Sequence, residues 1–502
     1  MFKKNFFKLF SLALLIYPLS FINQILISYF FGTSAKLDAY WFSMSLAMML
    51  IIHLQPVKEI LVNEFYVLKK SDIIKANQFL VENLFAWIIL LVLSSLLFYT
   101  FSYEIVYLIM KDFSKEYFDS YLIFFKFMIV YVNFLFISEI LSGILITFGI
   151  VIYQNLSKLI IVLSSVFFLL LLFEFFREYT LAYSLITGLF LLVIIQLIDL
   201  NKNKIIFFFI LPKIKLNFFK KISGLVFVAL ISQIYLLYER IIFSGLSSGL
   251  ISAYQYSRSL HDIPYFLIVM TIQTSLWPAF LEAVNSGNTD QIYQMTVKKF
   301  KLLFIILLLI SVQIYFFSEY ILYLLFYRGA FGIDSLNLTS ITLKVVIIGL
   351  LPLSILTLLG RALYAFKAIK WISLSGIFGT IVGLMFLYLG HYKQDIDWAL
   401  YHFPASQISI LFITGSGFLY YTEKIQSYKF WKSLILWFLK ILFVFSIIIS
   451  LYPFPDFDFK DKWELFFEIL IHGTSSSSII FIMLICFGII NFKKSIKYFK
   501  SI

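Results

Sequence analysis

Residues 31–46 read FGTSAKLDAYWFSMSL, and residues 245–260 read GLSSGLISAYQYSRSL. At an offset of 214 they share Ser34/Ser248, Ala39/Ala253, Tyr40/Tyr254, Ser43/Ser257, Ser45/Ser259 and Leu46/Leu260. A second pair, 102–110 (SYEIVYLIM) and 318–326 (SEYILYLLF), aligns at offset 216, and Leu141-Ser-Gly143 aligns with Leu358-Leu-Gly360. An apolar chain produces single matches of this kind by chance. Three in one order at a nearly constant offset mark an internal duplication.

The sequence around these blocks says what is duplicated. Of 502 residues 62% are apolar and 13% charged, against roughly 45–50% and about 25% in soluble domains, which excludes a soluble enzyme. Apolar stretches long enough for a helical crossing of about 20 residues fall at 9–31, 39–66, 78–101, 120–148, 151–173, 179–198, 222–244, 250–280, 300–317, 337–365, 369–389, 397–421, 433–451 and 469–491. The expected fold is therefore all-α and polytopic, with about fourteen transmembrane helices. The offset covers six of them, an even number, so the two halves share one topology about an axis along the membrane normal, a transporter layout. The expected domains are a six-helix lobe over 1–198, a basic linker over 199–221, a second six-helix lobe over 222–421, and two further helices with a basic tail over 422–502.

The net charge of +13 bears on orientation. Counted loop by loop, 25 Lys and Arg side chains fall on one side and 8 on the other. The positive-inside rule makes the richer side cytoplasmic and puts both termini there. The lysines are spread over many short segments rather than gathered on one face, so no nucleic-acid partner is expected. The linker NKNKIIFFFILPKIKLNFFKK (201–221) is read as an interfacial helix on the anionic inner leaflet. The first stretch follows Lys3, Lys4 and Lys8 and runs past Pro18 to Phe31 without a small-residue cleavage site, so it is expected to be a retained helix. The single cysteine, Cys486, and five scattered histidines offer no disulfide framework and no metal-ligand spacing. With no Walker motif, no cofactor, metal or ATP is expected, and the chain is read as a monomer in the cytoplasmic membrane.

Charges left inside the spans cost at least ~2.5–3.5 kcal/mol each at the bilayer centre, so they should face a cavity, pair or snorkel. They are Lys58, Lys126, Arg240, Arg258, Lys344, Arg361 and Lys440, with Glu59, Glu64, Glu82, Glu139, Glu239 and Asp262. Lys440, near a helix end, reads as snorkelling. Arg258 and Asp262 are four apart on one helical face, just before Pro264. Arg258, Arg361 and Lys58 are the candidates for an anionic head group, because guanidinium matches phosphate in a bidentate way. Asp262, Glu239, Arg240, Glu59 and Glu139 are candidates for cavity ion pairs or ion coupling. The plainer reading is that the cations merely pair with internal carboxylates.

A run of motifs supplies a further expectation: Glu239-Arg240, Tyr256-Ser-Arg-Ser-Leu260, Pro264, Gln273-Thr-Ser-Leu-Trp-Pro278, Phe326-Tyr-Arg-Gly-Ala-Phe331 and Arg361-Ala-Leu-Tyr-Ala365, with Phe31-Gly32 and Asp38-Ala39-Tyr40 in the first half. From about residue 10 to 370 the chain resembles the MurJ/MviN family of lipid II flippases, in the multidrug/oligosaccharidyl-lipid/polysaccharide exporter superfamily. The resemblance implies fourteen helices, two lobes, and outward movement of a polyprenyl-diphosphate-linked glycan by rocking alternating access. Departures from the family pattern point toward another cargo. The first helix has no arginine around Tyr17-Pro18 and Asn23-Gln24, and the second carries His53 and Gln55-Pro56 where an arginine pair and an acidic segment are usual. Arg258 sits one place from the usual cation, and Trp371-Ile372 replaces a Thr-Pro. An O-antigen or capsule unit is thus the favoured cargo, with lipid II beside it. The alternatives are a multidrug or cation antiporter of the same superfamily, using Glu139 or Glu59, and a membrane glycosyltransferase or polymerase.

Overall fold

The computed structural model describes residues 2–110, 115–205, 216–423 and 461–486, together with residues 436 and 440. The described residues form helices and connecting turns, without a strand. Hydrocarbon offers no partner for backbone N–H and C=O groups, so long apolar segments satisfy them internally as helices. Thirteen of the fourteen expected stretches carry helix; 433–451, apart from residues 436 and 440, lies outside the described residues, as do 206–215 of the linker and the tail beyond 486. Among the described residues, eight helical segments can cross a bilayer by length and composition, or nine if the bent pair Ala35–Ile51 and Leu54–Ser71 is one span. Leu15–Phe31 and Asn155–Leu171 are shorter apolar helices.

Contacts group the chain into two units. The first comprises Met1–Ala253 with Arg328–Ser335, and the second Tyr254–Tyr327 with Leu336–Ile502. In the first, the helices are α1 (Phe2–Phe31), α2 (Ala35–Ala47), α3 (Leu54–Ser71), α4 (Ile73–Thr100), α5 (Ser102–Met110), α6 (Lys115–Thr147), α7 (Tyr153–Leu171), α8 (Phe173–Phe176), α9 (Thr180–Lys202) and α10 (Leu216–Leu246). Helix α6 is central, packing on α2, α3 and α9, while α7 bridges α1 and α9, and α10 lies on α2 and α3. Phe42, Phe65, Phe125 and Phe136 fill the interior. Large apolar side chains such as Leu96, Leu97, Leu170 and Leu171 are exposed, as a lipid-facing surface requires.

The expected second span, 39–66, starts earlier and is broken. Ser34 caps α2 by accepting the Leu37 N–H. A 3₁₀ turn, Met48–Ile51, then precedes α3, with a bend of 44° between the two parts. Pro56 accounts for the break: it has no N–H to give to residue 52 and its ring would strike that carbonyl in a continuous helix, yet it is tolerated in the first turn of a new one. The repeat-related span is irregular at a similar place, where α11 (Leu250–Pro264) ends at Pro264 and widens into a π turn over Tyr265–Met270.

The second unit continues with α12 (Thr271–Asn285), α13 (Thr289–Phe316), α14 (Ser318–Phe326), α15 (Ile333–Ile348), α16 (Leu350–Ala365), α17 (Ile369–Lys393), α18 (Ile396–Leu400), α19 (His402–Tyr421) and α20 (Lys462–Cys486). Its core forms around α16, against α12, α13 and α19, with Phe280, Leu307, Leu350, Leu358 and Ala362 fully buried. Helix α17 packs along α19, and α20 along α13 and α14. The aligned segments 102–110 and 318–326 are both nine-residue helices, α5 and α14.

Candidate functional site

The two copies of the opening repeat touch each other. Asp38, part of the Asp38-Ala39-Tyr40 motif, is 1% exposed in the first turn of α2. Its carboxylate accepts the Gly249 N–H at 2.7 Å, the Ser252 N–H at 2.8 Å and the Ser252 hydroxyl. Asp38 and Ser252 are repeat partners at the offset of 214. The carboxylate thus caps α11 as an anion caps any helix N-terminus, where unpaired N–H groups and the helix dipole favour negative charge. The positive charge of Arg240 acts on it as well. Close approach here needs a glycine: Gly249 has φ +83°, and a Cβ there would lie 2.5 Å from the Thr33 carbonyl oxygen. The Tyr-Arg-Gly-Ala-Phe loop joins the same place. The Ala330 N–H donates to the Tyr29 carbonyl at 2.7 Å, and the Thr33 N–H and hydroxyl reach the Ser335 hydroxyl at 3.2 and 2.8 Å.

Deeper in the first unit, the Lys58 ammonium on α3 donates to Glu139 on α6 at 2.6 Å. Neither side chain is sealed, with 18% and 31% of their surfaces exposed. Glu59, next in sequence, is exposed and has no ion pair or hydrogen bond among the described residues. Glu239 and Arg240 on α10 are both buried, with Arg240 Nε 3.6 Å from the Glu239 carboxylate. Adjacent residues project from different parts of a helix surface, so this contact draws the two side chains toward each other and lets a buried cation keep a counter-charge.

In the second unit Arg258 Nη2 lies 3.2 Å from Asp262 Oδ1, one helical turn away on α11. Asp262 also meets the buried His261 Nδ1 at 2.8 Å. The Arg258 guanidinium sits 4.3 Å from the centre of the Phe403 ring, a cation–π arrangement that fixes its plane. Its Nη1 has no hydrogen-bond partner. Arg361, at the end of α16, stands over the Trp277 ring of α12 at 5.4 Å. Among the described residues it makes no hydrogen bond and no ion pair, so its five N–H donors have no protein acceptor. Beside it, Tyr265 in the π turn shares a hydrogen bond of 3.1 Å with Thr357, one turn before Arg361 on α16.

The structure therefore joins Lys58 to Glu139, Arg240 to Glu239 and Arg258 to Asp262, and gives Arg361 an aromatic neighbour only. Lys58 belongs to the first unit, Arg258 and Arg361 to the second. Sequence reasoning missed Asp38, whose signal was its place in the duplicated block opposite Ser252. It also missed Trp277 and Phe403 as supports for the two arginines; Trp277 was visible as part of a motif, Phe403 was not. Chemically, guanidinium groups held on aromatic faces with donors to spare are suited to a phosphate or diphosphate. No three His, Cys, Asp or Glu side chains gather in the manner of a metal site among the described residues.

The fold matches that of "Lipid II flippase MurJ, inward closed conformation" with a TM-score of 0.72 at 18% identity, covering 94% of this chain and 97% of that one. It matches an inward-facing multidrug resistance MATE family transporter of the MOP superfamily at 0.57 and 13%, covering 82% and 96%. The fold is shared with these two multi-pass helical proteins. In sequence, the probable lipid II flippase MurJ of Buchnera aphidicola subsp. Baizongia pistaciae is 25% identical over 420 residues, 82% of this chain and 80% of the relative. That of Helicobacter pylori (strain ATCC 700392 / 26695) is 32% identical over 149 residues, 30% of this chain and 32% of the relative. The model of the family "Lipid II flippase MurJ" matches residues 27–472, and the chain belongs to that family.

Proposed function

We propose that this protein moves lipid II, a polyprenyl-diphosphate-linked peptidoglycan precursor, from the inner to the outer leaflet of the bacterial cytoplasmic membrane. Family membership over 27–472 supports lipid II over the O-antigen or capsule unit that the departures in the first two helices had favoured. The observation that carries the reading is Arg361: a guanidinium in a membrane helix, braced by Trp277 and without a protein acceptor among the described residues. A charge in a span is costly unless something answers it, and a diphosphate would answer this one bidentately. Arg258, braced by Phe403 with Nη1 unpartnered, is the second contact, and Lys58 the third.

Movement follows alternating access between the lobes 1–198 and 222–421, joined by the interfacial linker 199–221, with the termini on the cytoplasmic side. Charge asymmetry between the loops supports that orientation. The outer side is closed when the cargo loads and must open for release. The head group binds from inside, the closure then parts, and the lipid tail stays in the bilayer throughout. No covalent step is involved. For turnover the cargo must not favour one state strongly, or the carrier stalls. The antiporter reading has the MATE-like fold in its favour, but of its candidate carboxylates Glu139 is already answered by Lys58 and Glu59 is exposed rather than set in an enclosed ion site.

Complementation in cells depleted of their own lipid II flippase tests this. Arg361→Ala and Arg258→Ala, each present in the membrane at normal levels, are expected to fail to sustain growth and to leave lipid II in the inner leaflet. Normal growth and transport with both variants would remove the site.

A further inference from the structure

We infer that Glu139 is a stand-in for the cargo: its carboxylate occupies the Lys58 ammonium while the site is empty and is displaced by a phosphate group of the lipid diphosphate. The inference rests on the proposed reading and adds a device for letting the cargo go.

Two internal carboxylates of the first unit that meet partners across helices are built differently. Asp38 is fully buried and takes three donors from one short segment, two of them backbone N–H groups. Such an anion is locked, because leaving would strand three donors at once. Glu139 has one partner, the Lys58 ammonium at 2.6 Å, and 31% of its side chain remains exposed. It takes no backbone N–H and no hydroxyl among the described residues. Lys58 in turn offers three N–H groups and uses one. Among the described residues the pair is thus the only answer each charge has, yet it is held by a single contact at the edge of accessible space.

The backbone keeps Lys58 in reach of α6. Gly143 is one turn beyond Glu139, and a Cβ on it would lie 2.5 Å from Val62 Cγ2 and 3.4 Å from Lys58 Cγ. Without a side chain at 143, α3 can approach and lay the lysine stem along α6, so that the ammonium ends beside residue 139. A lysine is a compact point charge on a flexible stem. It can swing between two anions without rebuilding a hydrogen-bond fork, which an arginine cannot do as cheaply. An empty carrier with an unanswered ammonium in its membrane interior would pay a desolvation cost in every cycle; with Glu139 in place it does not. The same carboxylate competes with the bound diphosphate and speeds its departure. Its role is positioning and exchange at Lys58.

The test uses the full-length protein in lipid nanodiscs and undecaprenyl diphosphate as the probe, with undecaprenol as the uncharged control. Glu139→Gln keeps the size of the side chain and removes its charge. Tighter binding of undecaprenyl diphosphate is expected, by about fivefold, the order expected for loss of a partly exposed competing ion pair, with no change for undecaprenol. Lys58→Met is expected to weaken diphosphate binding, and on that background Glu139→Gln should no longer tighten it. In transport, Glu139→Gln should slow release while increasing occupancy. Unchanged or weaker binding by Glu139→Gln, with Lys58→Met still weakened, would make Glu139 a mere holder of Lys58 and overturn the inference while leaving the proposed function intact. Loss of folded protein in both Glu139→Gln and Glu139→Ala would make the pair structural and overturn it as well. No preference of the unaltered protein for undecaprenyl diphosphate over undecaprenol would instead bring down the reading on which it rests.

Discussion

Asp38→Ala removes the acceptor of the Gly249 N–H, the Ser252 N–H and the Ser252 hydroxyl together. Losing a charged cap that answers several buried donors costs about 2–3 kcal/mol, while Ser252→Ala, which removes one contact of the three, costs about 1 kcal/mol. Thermal unfolding in detergent should rank them in that order below the unaltered protein, and equal melting temperatures for Asp38→Ala and Ser252→Ala would contradict the cap. At this scale the sequence was uneven in what it disclosed. Arg258 with Asp262 was legible because a spacing of four on a helix is a distance. Lys58 with Glu139, 81 positions apart, was legible only as two charges needing partners. Asp38 was legible only as part of a motif, and only the return of the chain at 249–252 shows what buries it.

Among the elements, the spans themselves were plain in the sequence, since an apolar run of twenty residues leaves the backbone no alternative to helix. Their interruptions were not. Pro56 and Pro264 mark the places, but the 3₁₀ turn and 44° bend before the one and the π turn after the other depend on how neighbouring helices take up the freed backbone. The last described helix offers a cleaner test of what joins elements in lipid. Helix α20 meets α13 through Gln313, whose Nε2 donates to the Ser476 and Ser477 hydroxyls at 2.8 and 3.1 Å. With no hydrophobic drive between helices in a bilayer, such bonds and close packing supply the attraction, at roughly 0.6–1.7 kcal/mol each. The double variant Ser476→Ala/Ser477→Ala should lower the melting temperature by a few degrees and speed proteolysis of the α20 end. An unaltered melting temperature would show that apolar packing alone holds α20.

For the molecule as a whole, orientation is the testable quantity. With the single cysteine replaced (Cys486→Ser), Lys202→Cys and Asp397→Cys lie on opposite sides by the charge rule, and both positions are exposed. A membrane-impermeant thiol reagent on intact cells should label the cysteine at 397 and spare the one at 202 until the membrane is opened; the reverse pattern would invert the topology. The duplication was legible from three short matches because symmetry repeats a solution to the same packing problem. The grouping of residues 328–335 with the first unit was not, since nothing local in Tyr-Arg-Gly-Ala-Phe says that its backbone will meet Tyr29 and Thr33. That grouping has a consequence for synthesis. A ribosome delivers the chain from its N-terminus, yet the first unit lacks its closing segment until residue 335 of 502 has emerged. Roughly two-thirds of the protein must enter the membrane before its earliest helices reach their final partners, so the N-terminal half has to wait in the bilayer partly unassembled, within reach of insertion chaperones and membrane proteases.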